Sequence, residues 1–168
     1  MRHAAAGQPA SGAARVFMIA AMFRSIVVGT DGSETAGKAV DEAIDLAKSL
    51  SASICLVSAY EPVPKARLRE EARQTPADLQ WMVNPREEVD ATLSDAADLV
   101  RDAGIDVETF AREGDPADAI LDVAEERNAD LIVVGNKGMT GARRFLLGSV
   151  PNKVSHHAPC SVLIIRTT

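Results

Sequence analysis

The chain has 168 residues and a formal net charge of −6, with 46% hydrophobic, 25% charged and only 4% aromatic residues. That length suits one domain whose core needs no staples, and the balance excludes a disordered or fibrous chain. Before Leu131 there are 13 basic and 24 acidic residues, which disfavours broad nucleic-acid binding; from Leu131 onward, five basic and no acidic residues leave room for a local anion site.

Residues 1–14 are rich in Ala, Gly, Ser and Pro without any period, and residues 16–22 form a short apolar run. Seven apolar residues cannot span a bilayer, and the run is too short for a signal peptide with a clear cleavage site. Residues 1–22 are therefore expected to be either a disordered extension or a mis-assigned start with Met22 as initiator. Residues 23–168 are expected to form one domain, cytoplasmic and without membrane contact.

Residues 25–29 predict a fully apolar strand, and Ala36, Ala39, Val40, Ala43, Ile44, Ala47 and Leu50 then recur at helical spacing. Residues 53–59 predict a second strand. Asn84-Pro85-Arg86-Glu87 carries an N-cap, a proline at N1 and a glutamate at N3, and the helix it opens stops at Gly104. A third strand is predicted over 105–111. Asp115-Pro116 opens another helix, residues 131–135 read as a buried fourth strand, Ser149 is placed to cap a helix to about His157, and residues 161–166 complete the series. This β-α-β alternation predicts an α/β doubly wound parallel sheet with helices on both faces. Residues 60–84 form the one long irregular segment, with the only tryptophan, Trp81; a segment of that length after a strand suits a lid or partly helical flap. Cys55 and Cys160 lie in apolar strand-like runs without metal spacing, and read as buried thiols of a reducing compartment. His156 and His157 are adjacent and share no helix face, so they make no metal constellation; they suit the last turn of a helix.

In open parallel sheets, ligands bind beyond the carboxyl ends of the strands, where the strand order reverses. Two strands end in glycine there. The first continues as Gly29-Thr30-Asp31-Gly32-Ser33, the fourth as Gly135-Asn136-Lys137-Gly138-Met139-Thr140-Gly141, leading to Gly148-Ser149-Val150. Glycines let backbone N–H groups approach an anion, a helix N-terminus favours phosphate, and Lys137, Arg143 and Arg144 add positive charge. Neither a Walker A loop nor a dinucleotide fingerprint is present, whereas the spacing Gly-x2-Gly-x9-Gly-Ser/Thr is met by Gly135, Gly138, Gly148 and Ser149. Asp31 has a second reading as the start of a capping box, Asp31-Gly-Ser-Glu34, and the glycine stretch a second reading as a plain flexible connection. Ser33 and Ser149 lack triad partners, so no catalytic residue and no metal ligand is assigned.

With these blocks in place, residues 23–168 resemble the universal stress protein family, in its ATP-binding branch. The resemblance rests on Ile26-Val-Val-Gly-Thr-Asp-Gly-Ser33, Ala129-Asp-Leu-Ile-Val-Val-Gly135 and Gly148-Ser-Val-Pro-Asn-Lys-Val154. It implies five strands in the order 3-2-1-4-5, a nucleotide across the tips of strands 1 and 4, and a homodimer. Carried over by position, Asp31 and Ala59 contact the base, Gly135 to Gly141 line ribose and phosphates, and Gly148, Ser149 and Val150 hold phosphates. Cys160-Ser161 departs from the family, many members having proline after the cysteine. The implied function is a regulatory stress-response protein binding ATP or another adenine nucleotide such as cyclic AMP, with Mg²⁺ arriving on the nucleotide and hydrolysis slow at most. The dimer is expected through the last strand, an apolar edge. Two alternatives stand beside this: an ATP-hydrolysing or nucleotidyl-transferring enzyme of a related α/β fold, and a protein-interaction module with a vestigial site.

Overall fold

A computed structural model describes residues 23–62, 85–136 and 147–167. Trp81 and the proposed flap lie outside the described residues, apart from Tyr60 to Pro62. Five strands, β1 (Ser25–Gly29), β2 (Ser53–Tyr60), β3 (Val107–Glu113), β4 (Leu131–Gly135) and β5 (Ser161–Ile165), form one parallel sheet in the order β3-β2-β1-β4-β5. The helices are α1 (Glu34–Leu50), α2 (Pro85–Asp102), α3 (Pro116–Glu126) and α4 (Ser149–His157). The doubly wound fold expected from the sequence is the fold observed.

Side chains alternate across each strand, so β1 feeds two cores. Ile26 and Val28 pack with Val40, Ile44, Leu93 and Val100 of α1 and α2. Val27 faces the other way, with Val57, Ile132, Ile120 and Val154, beneath α3 and α4. Being covered on both faces is why β1 and β4 read as unbroken apolar runs. At the amino end of the sheet, Asp130 Oδ2 accepts hydrogen bonds from the backbone N–H groups of Arg24 (2.8 Å) and Ser25 (3.1 Å), which pins the register of β1 against β4. Among the described residues no helix is long and apolar enough to cross a membrane.

The structure moves several sequence-based boundaries. β3 starts at Val107, not at 105, because Ile105 belongs to the end of α2. Its N–H bonds the Val100 carbonyl (3.2 Å) and the Gly104 N–H bonds that of Arg101 (2.8 Å), with Gly104 at φ +76. This is a left-handed helix stop whose following apolar residue folds back into the core. Helix α1 ends likewise at Ser51 (φ 55) and α3 near Asn128 (φ 48), where Ala52 and Ala129 donate to Ala47 and Ala124. Cys55 is buried in β2, but Cys160 precedes β5 and is only half-buried. Burial pushes both thiols above their ordinary range, so both stay protonated.

Caps at the helix starts also differ from expectation. Ser33, not Asp31, caps α1: its Oγ accepts the Ala36 N–H (3.2 Å), while Asp31 Oδ1 accepts from the Ser33 N–H (3.1 Å) and Oγ–H (2.6 Å). Asp115 caps α3 as expected, accepting from the N–H groups of Ala117 (3.0 Å) and Asp118 (3.1 Å). Lys153 of α4 reaches both Asp115 (3.2 Å) and Asp118 (2.7 Å), tying the two helix starts together. For α4 the cap is Gly148, one residue earlier than the expected Ser149, and among the described residues no side chain bonds the first turn.

Three expected outcomes follow from these helix starts and ends. Ser51 holds a left-handed conformation that favours glycine, so Ser51→Gly should stabilise by about 0.5–1 kcal/mol, raising the melting temperature by roughly 2–4 °C. Gly104→Ala should do the reverse by about 1 kcal/mol, since nothing lies within 4 Å of the added Cβ and only the backbone is strained. The backbone N–H of Asp118, followed by Lys153 and the Ala117 N–H, holds the Asp115 carboxyl below its ordinary value of 3.8 against the opposing effect of burial. A lowered folded-state pKa gives stability that is present above the unfolded value and lost as pH falls through the folded one. Asp115→Ala should therefore cost about 1 kcal/mol in urea denaturation near neutral pH, and the penalty should shrink once wild-type Asp115 is itself protonated.

Candidate functional site

The strand order reverses between β1 and β4. β1 leads through α1 to β2 on one side, and β4 leads through α4 to β5 on the other. At their carboxyl ends a cavity of about 350 Å³ opens, within the range of small-molecule sites.

Each wall has a local cause. Gly29 ends β1 under α3, where an added Cβ would lie 2.4 Å from Ile120 Cδ1 and 3.4 Å from Val134 Cγ1. A side chain there would make the end of the Ile120 side chain shift. Thr30 continues the β1–β2 pairing through its N–H to the Val57 carbonyl (2.9 Å) and is buried. Its Oγ1 accepts the Gly32 N–H (3.3 Å), and with the Asp31–Ser33 bonds this fixes the turn after β1. Gly32, at φ +74, is crowded by Thr92, with its virtual Cβ 2.9 Å from Thr92 Cγ2. The Asp31 carboxylate is thus held at the cavity rim by its own turn.

Opposite stands the start of α4. The first N–H groups of any helix lack intrahelical acceptors. In α1 and α3 a capping hydroxyl or carboxylate takes one or two of them; in α4, among the described residues, no side chain does. Gly148, expected to offer its amide to a phosphate, instead donates it to the Asn136 carbonyl at 3.0 Å. Pro151 has no N–H. The donors this turn presents to the cavity are therefore the amides of Ser149 and Val150 and the Ser149 hydroxyl, with the helix dipole behind them.

Eight of the residues singled out in the sequence line this one cavity: Gly29, Thr30, Asp31, Ala59, Gly135, Gly148, Ser149 and Val150. Asn136 is not among them, for its side chain turns to Thr167. Lys137, Gly138, Met139, Thr140 and Gly141, with Arg143 and Arg144, lie outside the described residues. Sequence reasoning missed the apolar wall of Val57, Pro116, Ile120 and Val134, together with Ser58, Ala36 and Pro151. Some signal was there: Val57 and Ala59 share a strand face, and Pro116 and Ile120 lie one helical turn apart. The described lining is a mainly apolar cavity with an anion-favouring helix start among its walls. Among the described residues no three His, Cys, Asp or Glu side chains converge as a metal site.

The profile of the universal stress protein family matches residues 22–166. Universal stress protein Rv1636 of Mycobacterium tuberculosis strain H37Rv is 38% identical over 149 residues, covering 87% of this chain and 98% of its own. Universal stress protein MJ0531 of Methanocaldococcus jannaschii is 33% identical over 148 residues, with coverages of 86% and 83%. Among solved structures, a universal stress protein in complex with cAMP aligns with a TM-score of 0.64 at 33% identity, over 87% of this chain and 98% of that one. The protein MJ0577, at 24% identity and a TM-score of 0.70 over 86% and 96%, is a likeness of fold. On sequence and fold alike, this chain belongs to the universal stress protein family.

Proposed function

We propose that the cavity binds an adenine nucleotide, ATP or cyclic AMP, and that the protein acts as a regulatory stress-response protein of the cytoplasm with slow hydrolysis or none. The observation that carries this reading is the uncapped start of α4 facing an apolar slot at the strand-order reversal. The slot suits the faces of a purine, and the amides of Ser149 and Val150 suit a phosphate. A relative 33% identical to this chain was solved with cAMP bound, which supports the same ligand class here. Hydrolysis needs an in-line water and usually a metal held by carboxylates; Asp31, the acid at this rim, is engaged with Ser33. Any Mg²⁺ comes with the nucleotide and keeps most of its water.

Calorimetric titration of ATP, ADP, AMP and cyclic AMP tests the reading. Wild type should bind at least one of them, and Gly148→Val should weaken it tenfold or more by crowding the two amides. Gly29→Ala should also weaken it, because the added methyl displaces the end of the Ile120 side chain in the cavity wall. A wild type that binds none of the four would end the proposal, and Gly148→Val binding unimpaired would place the ligand elsewhere.

The protein is also proposed to be a homodimer through β5. The two sheet edges differ in kind. At β3, Arg127 sits 4.8 Å over the Phe110 ring and pairs with Glu108 (2.6 Å), and Arg112 pairs with Glu126, so charge guards the edge. At β5, Val162, Ile164 and Ile165 are half-buried and Leu163 is exposed. Light scattering should give twice the 17.8 kDa chain mass, and Leu163→Lys should halve it.

A further inference from the structure

Asn136 is the first residue after β4, and its four hydrogen bonds join three parts of the chain. Its N–H donates to the Ile165 carbonyl at the end of β5 (2.8 Å), and its own carbonyl accepts the Gly148 N–H (3.0 Å). Its side-chain Oδ1 accepts both the N–H (2.9 Å) and the Oγ1–H (2.7 Å) of Thr167. Thr167 lies beyond the last strand, yet it is only 3% exposed, and its carbonyl accepts from Lys38 Nζ of α1 (3.2 Å). One carboxamide oxygen thus has both lone-pair directions filled by the same residue. That fixes the Asn136 side chain, and with it the peptide whose carbonyl holds Gly148, the cap of α4.

We propose that Asn136 and Thr167 form a latch that positions the first turn of α4 for phosphate, so that Thr167 is a positioning residue of a site it does not touch. The inference rests on the nucleotide reading for its functional consequence, though not for the latch itself. Residues 137–146 lie outside the described residues, and the described tie between the end of β4 and the start of α4 is the Gly148–Asn136 bond. Without the Thr167 hydroxyl, Asn136 Oδ1 keeps only the Thr167 N–H, and one bond holds the carboxamide less firmly than two. The amides of Ser149 and Val150 then lose their common aim, while the apolar slot for the base, built on β1, β2 and α3, is unchanged. The consequence is selective: phosphate recognition weakens and base recognition does not.

The test uses the full chain with Thr167→Val, which removes the hydroxyl and keeps the shape, and Thr167→Ser, which restores the hydroxyl. In the ligand-free protein, hydrogen exchange at the Gly148 amide should accelerate at least fivefold in Thr167→Val and return to the wild-type rate in Thr167→Ser. Exchange at Val154, deeper in α4, should stay put. In calorimetry, AMP should bind Thr167→Val about five- to twentyfold more weakly, with Thr167→Ser near wild type, while adenosine should bind all three alike. Equal losses for AMP and adenosine, or no loss for AMP, would overturn the latch. If wild type binds neither compound, the nucleotide reading falls by itself, and the exchange experiment still decides: an unchanged Gly148 rate in Thr167→Val overturns the latch.

Discussion

The parallel pairing of β1 with β4 is the constraint on which the remaining structure depends. Both strands are covered on both faces, so every connection from their carboxyl ends must leave sideways, β1 toward β2 and β4 toward β5. Two connections that diverge leave the space between their starting points uncovered. The cavity is therefore a by-product of strand order, and its place would be the same for many sequences. Asp130, at the far end of the sheet, holds the two strands in register through the N–H groups of Arg24 and Ser25. The opposing tips Gly29 and Gly135 inherit that register.

What makes the cavity chemically particular is which helix starts are left open. Three helices begin with their cap among the described residues, and two of them carry an internal acceptor, Ser33 for α1 and Asp115 for α3. The Asp115 carboxylate does for α3 what a bound anion would do, and Lys153 neutralises it. Of these three, only α4 begins on a residue without a side chain, and no described side chain answers the field of its dipole at the cavity. A serine or aspartate at position 148 would stabilise α4 by only a few tenths of a kcal/mol, because glycine is itself a tolerated cap.

Pro151 sharpens the arrangement. At the third position of the helix it removes one of the orphan donors, and the Gly148 amide is already bonded to Asn136, so two amides remain where a generic helix start would offer three or four. Those two are adjacent, on Ser149 and Val150, and their direction is set by a single turn of backbone. For an anion that meets this turn, the aim of those two amides matters. The bonds that hold Asn136 in place, and Thr167 buried beside it, are the local means of fixing that aim.

How much of this was legible in the sequence follows from what each kind of signal measures. The strands β1 and β4, the alternation of strand and helix, and the Asp115-Pro116 start could be read because local chemistry alone dictates them. The strand order came from family resemblance, since apolar runs say that a strand is buried but not beside which neighbour. The start of β3 was placed two residues early because Ile105 is apolar in either role, as strand or as the residue folded under a left-handed stop, and only the φ of Gly104 separates the two. In the site, glycines and hydroxyls were found because their spacing is informative. Val57, Pro116, Ile120 and Val134 were not, because a period reports which face of an element is apolar without reporting where that face is left uncovered. Asn136 shows the same limit from the polar side. Its position in the motif suggested ligand contact, whereas its side chain answers to Thr167, thirty-one residues on. A pairing at that separation is set by the register of β4 against β5. No local pattern encodes it, so the parts of the site that touch a ligand were easier to read than the parts that aim them.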